Sequence, residues 1–259
     1  VKVLWVVAST ENSSLTSSLH QHGVGVLHEL GHQCRISDLY AMKWNPVVGA
    51  ADYGAASTQP LVVTTASEHA YRKGTLAEDI SSELEKLLWA DAVVFSFPLW
   101  WYGMPAILKG WFDRVFVQGF AYRVKDPADP RRTLRYGEGT LAGKRALVLT
   151  SCGSQEDVVG PRGISGQLDE VLFPLLHGTL WYTGMSVLPP VCIYDADRMN
   201  QQRYADASGV VRAALHSLGT TDPIPYRYQN FGEYDHGVLR HDILPGQTGL
   251  GIHLATAQA

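Results

Sequence analysis

Three short stretches carry groups suited to holding a ligand. The first, Ser9-Thr10-Glu11-Asn12-Ser13-Ser14-Leu15-Thr16, is dense in hydroxyls and leads into what reads as a helix N-terminus. Free backbone N–H groups and the helix dipole there suit an anion, and hydroxyls add donors without adding charge. A phosphate of a nucleotide or flavin is the natural guest. The competing reading is that Ser13 or Ser14 only caps the helix. The loop holds no glycine and no Walker lysine, which sets aside a P-loop hydrolase. The second stretch, Pro98-Leu99-Trp100-Trp101-Tyr102-Gly103, puts adjacent aromatics where they can stack on a flat ring and exclude water, or equally form a dimer contact. The third, Ser151-Cys152-Gly153-Ser154, can donate backbone N–H groups to the polar edge of such a ring.

Two motif matches do not fit their context. His28-Glu29-Leu30-Gly31-His32 spells the H-E-x-x-H of zinc proteases, which requires both histidines on one helical face. Gly31 is expected to end the helix, so His32 should start the next strand and point elsewhere. Gly137-x-Gly139-x-x-Ala142 resembles a dinucleotide fingerprint but precedes a strand instead of following one, so it reads as a turn.

The elements that position these stretches follow from periodicity. Continuous apolar runs at Val3–Ala8, Ala92–Trp101 (broken at Pro98) and Lys144–Thr150 predict strands buried on both faces. Gln33–Leu39 and Val187–Tyr194 complete five strands. Helices are predicted from Leu15 to Leu30, Leu76 to Leu88, Pro105 to Val117, Ile164 to Leu180 and Met199 to Leu218. Ala41 to about Thr75 lacks periodicity and reads as a long excursion. Gln118–Gly143, rich in Pro, Arg and Gly, reads as a surface insertion. Strict alternation predicts an α/β, doubly wound, five-stranded parallel sheet of flavodoxin-like order 2-1-3-4-5. Residues 1–218 should form that domain. Residues 219–259 should be an extension packing on it or on a dimer partner. In such sheets ligands bind beyond the carboxyl ends of the strands, where all three stretches fall.

The whole-chain numbers exclude other classes. Of 259 residues 46% are hydrophobic and 18% charged, with a formal net charge of −4, so no basic footprint points to nucleic acid. No segment reaches the ~18 apolar residues of a membrane span, and stable membrane insertion is not expected. Three cysteines, Cys34, Cys152 and Cys192, with no C-x-x-C pair, fit a reducing, cytoplasmic setting. The Asn12-Ser13-Ser14 sequon is then not expected to be glycosylated.

The run Phe97-Pro98-Leu99-Trp100-Trp101-Tyr102-Gly103-Met104-Pro105-Ala106-Ile107-Leu108-Lys109-Gly110-Trp111-Phe112-Asp113-Arg114-Val115-Phe116 closely resembles the core motif of the NAD(P)H:quinone oxidoreductase (DT-diaphorase) family. Ser37-Asp38-Leu39-Tyr40-Ala41-Met42 with Asn45-Pro46, Gly119-Phe120-Ala121-Tyr122, and Gly178-Thr179-Leu180 with Gly184 are similar to the same family. The resemblance covers nearly the whole chain. It implies a homodimeric flavoprotein that binds FAD rather than FMN, takes electrons from NAD(P)H and passes them to a small quinone-like acceptor. Ser9, Leu15 and Thr16 would lie near the flavin phosphates or ribityl chain. Pro98, Leu99, Trp100, Trp101 and Tyr102 would line the ring, and Ser151, Cys152, Gly153 and Ser154 would hold its polar edge. Tyr102, Tyr122 and Tyr182 would face the acceptor, the last two from the partner subunit. The tail resembles the part that long members add around the adenosine half.

The departures are specific. Ser9 stands where the family has a histidine. Val159 and Ser165 replace the tyrosine and histidine that stabilise charge during hydride transfer. A metal-binding relative's two histidines and cysteine are matched by Phe173, His177 and Tyr226, so no metal is expected. The flavin carries the chemistry in a ping-pong sequence: hydride arrives from nicotinamide, which leaves, and the acceptor takes it from the same face. Negative charge at the reduced ring's polar edge needs donors in place. Gly153 and Ser154 N–H groups are the candidates, with Arg162 or Ser165 helping; the competing reading of Arg162 is a solvent-facing loop arginine. The alternative function is a flavin-bearing regulatory subunit of a transporter with secondary reductase activity.

Overall fold

The computed structural model describes residues 1–56 and 60–255, so Ser57–Gln59 in the excursion and Thr256–Ala259 of the tail lie outside the described residues. The first strand, β1 (Lys2–Val7), is covered on both sides, and its alternate side chains enter two different cores. Val3, Trp5 and Val7 pack with Leu19, Val26, Val211 and Leu215 of helices α1 (Leu15–Glu29) and the late helix 201–216. Leu4, Val6 and Ala8 pack with Ile80, Leu84, Leu108 and Trp111 on the opposite face. Two cores on one strand explain its unbroken apolar run. Gly23 of α1 is needed for the close approach: a Cβ there would lie 2.3 Å from the Trp5 ring.

Chain order then gives β2 (Gln33–Asp38), α2 (Val63–Lys73), α3 (Glu78–Trp89), β3 (Ala92–Pro98) and α4 (Ala106–Val115). A small antiparallel pair follows, β4 (Val124–Lys125) and β5 (Thr133–Leu134), then β6 (Arg145–Ser151). Short helical turns α5 (Leu168–Val171) and α6 (Phe173–Leu175) lead through a π-helical turn, Leu176–Trp181, to β7 (Ser186–Val187), β8 (Val191–Ile193) and α7 (Gln201–His216). The sheet order is β2-β1-β3-β6, with β7 and β8 both pairing parallel to β6. This is the expected order 2-1-3-4-5. The fifth strand comes in two pieces because Pro189 and Pro190 between them have no N–H for the ladder.

Three expectations need correction. The excursion contains a short 3-10 segment, Ala50–Ala56, and the helix α2, whose buried face is Ala66, Ser67 and Ala70. Small residues make a poor apolar stripe, so periodicity missed it. The excursion is tied down by Arg114, which is buried and binds Asp52, Asp79 and the Asn45 carbonyl, with its guanidinium 4.6 Å from the Trp44 ring. Residues 118–143 are not all surface, because Phe120 and Leu141 are fully buried. The segment 164–180 is no single helix: Ile164 is 99% exposed, Gly166 has φ +79 and Pro174 lacks an amide donor, so helix starts only at Leu168 and in pieces.

The tail is anchored by the Ile224 N–H to the Val187 carbonyl (2.7 Å) and by buried Tyr226, which bridges to Leu254. It then folds over Thr133–Tyr136 and the π turn through a small hairpin of β9 (Tyr234–Asp235) and β10 (Val238–Leu239). Among the described residues no helix is long and apolar enough to cross a membrane.

Candidate functional site

Beyond β1 the chain turns through Ser9, which is buried and bonds the Ser14 hydroxyl and the Glu11 carbonyl. Ser14 is the N-cap of α1 and accepts from Ser17 N–H at 3.1 Å. Capping therefore occurs, but it consumes only that donor. Among the described residues the N–H groups of Leu15 and Thr16 have no partner, and no acidic side chain occupies the first turn. Capping and two amide donors left without an intrachain partner therefore coexist at this helix start.

Three loops converge at this end of the sheet. The Thr16 hydroxyl lies 3.4 Å from that of Ser151, and the Leu99 N–H donates to the Ser151 carbonyl at 2.8 Å. Farther out, the Tyr102 and Ser165 hydroxyls are 3.2 Å apart. The residues from Trp100 to Gly103 form a tight turn, closed by reciprocal N–H to carbonyl bonds of 3.0 Å. Its central residues, Trp101 and Tyr102, sit at φ +50 and +60, where asparagine and glycine are the usual occupants. Two large side chains held left-handed carry strain, which persists where the turn does something else. Here it thrusts Trp101 outward, 98% exposed, with Trp100 and Tyr102 also exposed beside it.

The loop after β6 is pinned from behind. Cys152 N–H donates to the Ile193 carbonyl, Ala196 N–H to the Cys152 carbonyl and Asp195 N–H to the Ser154 carbonyl. A Cβ on Gly153 would lie 2.2 Å from a carboxylate oxygen of Asp197, so a larger residue there would have to push that side chain aside. Among the described residues the N–H groups of Gly153 and Ser154 have no partner, and both residues are exposed. The Cys152 and Cys192 sulfurs are 3.6 Å apart and unbonded. Burial, with Cys152 beside it, pushes the Cys192 thiol up, so that sulfur stays protonated rather than nucleophilic.

The structure thus gathers Ser9, Leu15, Thr16, Leu99, Tyr102, Ser151 and Ser165 through direct bonds or chain neighbours. Arg162 is exposed and, among the described residues, has no hydrogen bond or ion pair. Val159 is buried, so apolar packing fills that position. Tyr122 is half-buried against the core, and Tyr182 packs edge-on to Tyr136 at 5.0 Å. Among the described residues neither has a ring contact with Trp100, Trp101 or Tyr102. In the H-E-x-x-H match, α1 ends at Glu29, which pairs with Arg212, and His32 follows Gly31 at φ +72, so the two histidines share no helical face. Among the described residues no group of three or more His, Cys, Asp or Glu side chains is placed to hold a metal.

Sequence reasoning missed the loop after β8. A pocket of about 390 Å³ opens beside the α1 N-terminus, between Ser13, Leu15 and Ser18 on one side and Met199, Asn200 and Tyr204 on the other. The tail, expected around an adenosine half, folds elsewhere in this chain, over β5 and the π turn. The rule that ligands gather at strand ends, applied to the fifth strand, was the signal available.

A parallel sheet of order 2-1-3-4-5 with three loops gathered at its carboxyl edge defines a flavodoxin-like protein, and the flavodoxin-like fold family matches residues 1–215. The chain belongs to that family, and within it to the quinone-reductase group. It is 43% identical to a ribosyldihydronicotinamide dehydrogenase-like protein of Penicillium crustosum over 99% of this chain and 96% of that one. It is 34% identical to the human ribosyldihydronicotinamide dehydrogenase [quinone] over 86% of this chain and 94% of that one. The crystal structure of a Klebsiella pneumoniae protein assigned as a quinone reductase superposes with TM-score 0.94 at 44% identity, covering 98% and 99% of the two chains. A regulatory subunit finds no support among these relatives.

Proposed function

We propose that this chain is an FAD-dependent NAD(P)H:quinone oxidoreductase that works as a homodimer by a ping-pong sequence in the cytoplasm. The observation that carries the reading is the convergence of free amide donors with exposed aromatics at one sheet edge. The loops that carry the Leu15 and Thr16 N–H groups, the Gly153 and Ser154 N–H groups and the Trp100–Gly103 turn are joined through Thr16–Ser151 and Leu99–Ser151. The first pair suits a diphosphate at a helix N-terminus. Trp100, Trp101 and Tyr102 offer flat apolar faces that exclude water from a ring. Gly153 and Ser154 N–H groups suit the ring's electron-rich edge, and the bonds from Ala196 N–H to the Cys152 carbonyl and from Asp195 N–H to the Ser154 carbonyl hold that backbone in place. The Ser13–Tyr204 pocket is wide enough for a nucleoside and supports FAD over FMN, in place of the tail.

A flavin, when bound, supplies two-electron hydride transfer between nicotinamide and acceptor. The chain's part is to orient it and to meet developing negative charge with fixed donors. The hydroxyls of Ser165 and Tyr102 meet, which links the aromatic turn to the segment that follows the donor loop. Tyr122 and Tyr182, remote from the turn within a chain, would reach the acceptor from the partner subunit. Residues 1–218 act as the flavin domain, with 219–259 as its extension.

The visible spectrum of the purified protein and chromatography of its released flavin test the cofactor. FAD is expected, and FMN alone would overturn the pocket's assignment. Initial rates with NAD(P)H and a small benzoquinone should give parallel double-reciprocal lines. Converging lines would rule out the ping-pong order.

A further inference from the structure

Two thiols meet where the donor loop leaves the sheet. β6 and β8 run parallel, with Thr150 beside Cys192 and Ser151 beside Ile193. The Cys152 N–H extends that ladder to the Ile193 carbonyl at 3.0 Å. Strand pairing fixes the backbone on both sides and leaves the Cys152 and Cys192 sulfurs 3.6 Å apart, although 40 residues separate them along the chain. A disulfide holds its sulfurs at about 2.0 Å, so side-chain rotation has little distance left to close.

The pair is ordered rather than symmetric. Cys192 directs its S–H at the Cys152 sulfur, and Cys152 directs its own at the Ser154 carbonyl, 3.7 Å away. Burial and the neighbouring sulfur hold the Cys192 proton tightly. A donated S–H stabilises negative charge on the sulfur that receives it, which makes Cys152 the better source of thiolate. The pair is also reachable. Cys192 is half-buried and lines a pocket of about 440 Å³ together with Glu156, Tyr194, Met199 and Arg203. A cysteine that only fills core space is sealed from small reagents, and this one is not.

We propose that Cys152 and Cys192 are a peroxide-sensitive thiol pair that closes reversibly to an intramolecular disulfide. The oxidant is a hydroperoxide, hydrogen peroxide in the simplest case. The Cys152 thiolate attacks one peroxide oxygen, the O–O bond breaks, and the departing hydroxide takes up the thiol's proton as water. Cys192 then attacks the sulfur of the resulting sulfenic acid. The S–O bond breaks, and hydroxide leaves with the Cys192 proton as a second water. Two thiols lose two electrons and two protons, and one peroxide becomes two waters. The new bond ties β8 to the loop that carries the Gly153 and Ser154 N–H groups. This chemistry needs only the two thiols, whichever flavin those amides hold.

The test treats the full-length protein as purified with hydrogen peroxide, alkylates the remaining thiols after denaturation, and maps the peptides by mass spectrometry. Cys152 and Cys192 should be recovered as one cross-linked peptide pair within a single chain. Cys34, whose thiol burial pushes up to about 11, should still be alkylated. Dithiothreitol should return all three thiols. Cys192→Ser should stop at a Cys152 sulfenic acid that dimedone traps, because the resolving thiol is gone. Cys152→Ser should slow loss of the Cys192 thiol by roughly tenfold or more. The parent's peptide map decides the cross-link even where a variant folds poorly. The pairing is refuted if both thiols still alkylate fully after peroxide, or if the cross-link joins two chains or includes Cys34. It is equally refuted if Cys192 is oxidised as fast in Cys152→Ser as in the parent.

Discussion

Two tryptophans ten residues apart in the same motif have opposite fates. Trp111 on α4 is fully buried, its indole N–H donating to Glu83 at 2.9 Å and its ring edge-on to Phe95 and Phe112. Trp101 is nearly bare, on a turn whose backbone it does not favour. The first contributes to stability through burial, and the second costs stability through strain. Residues that cost the fold and bury nothing are where function should be sought.

The largest break in that comparison is Trp111→Ala. It removes a fully packed indole and leaves a Glu83 carboxylate oxygen unpaired in the core, where Glu83 is wholly buried. A loss of about 3–5 kcal/mol is expected in denaturant unfolding, with flavin loss only as a consequence. Unfolding within about 1 kcal/mol of the parent would contradict the packing role.

Trp101→Ala should do the reverse, changing stability by no more than about 0.5 kcal/mol while weakening flavin retention or acceptor binding by about tenfold. The paired change Trp101→Asn with Tyr102→Gly sharpens this further. It installs the residues such a turn prefers, and should stabilise the fold by about 1–2 kcal/mol while losing the same binding. A double variant that gains no stability would show that the turn carries little strain.

The smallest effect is expected at Arg162→Ala. The guanidinium is exposed, and an exposed charge contributes ~1 kcal/mol or less, so flavin reduction by NAD(P)H in stopped flow should slow by about threefold to fivefold with FAD still bound. Rates within about twofold of the parent would leave Gly153 and Ser154 as the donors.

Much of this was legible along the chain. The unbroken apolar runs gave the inner strands because both faces of each are buried. Gly31 stopped α1, and the run from Phe97 to Phe116 pointed to the family. The helix α2 was not legible, since Ala66, Ser67 and Ala70 carry too little apolar area to mark a face. Nor was the pocket beside Asn200, whose walls come from opposite ends of the domain.

The sequence by itself determined the five parallel strands, their order in the sheet and which loops lie at its carboxyl edge, because periodicity and strand-end position are local or topological properties. The tertiary structure alone decided which donors stay free. Ser14 caps α1 with Ser17 N–H and spares Leu15 and Thr16, and the loop of Ala196 and Asp195 takes up the Cys152 and Ser154 carbonyls rather than the Gly153 and Ser154 N–H groups. It alone brought the Cys152 and Cys192 sulfurs together, across 40 residues of chain. Such contacts depend on where distant segments come to rest, and no spacing along the chain encodes that distance.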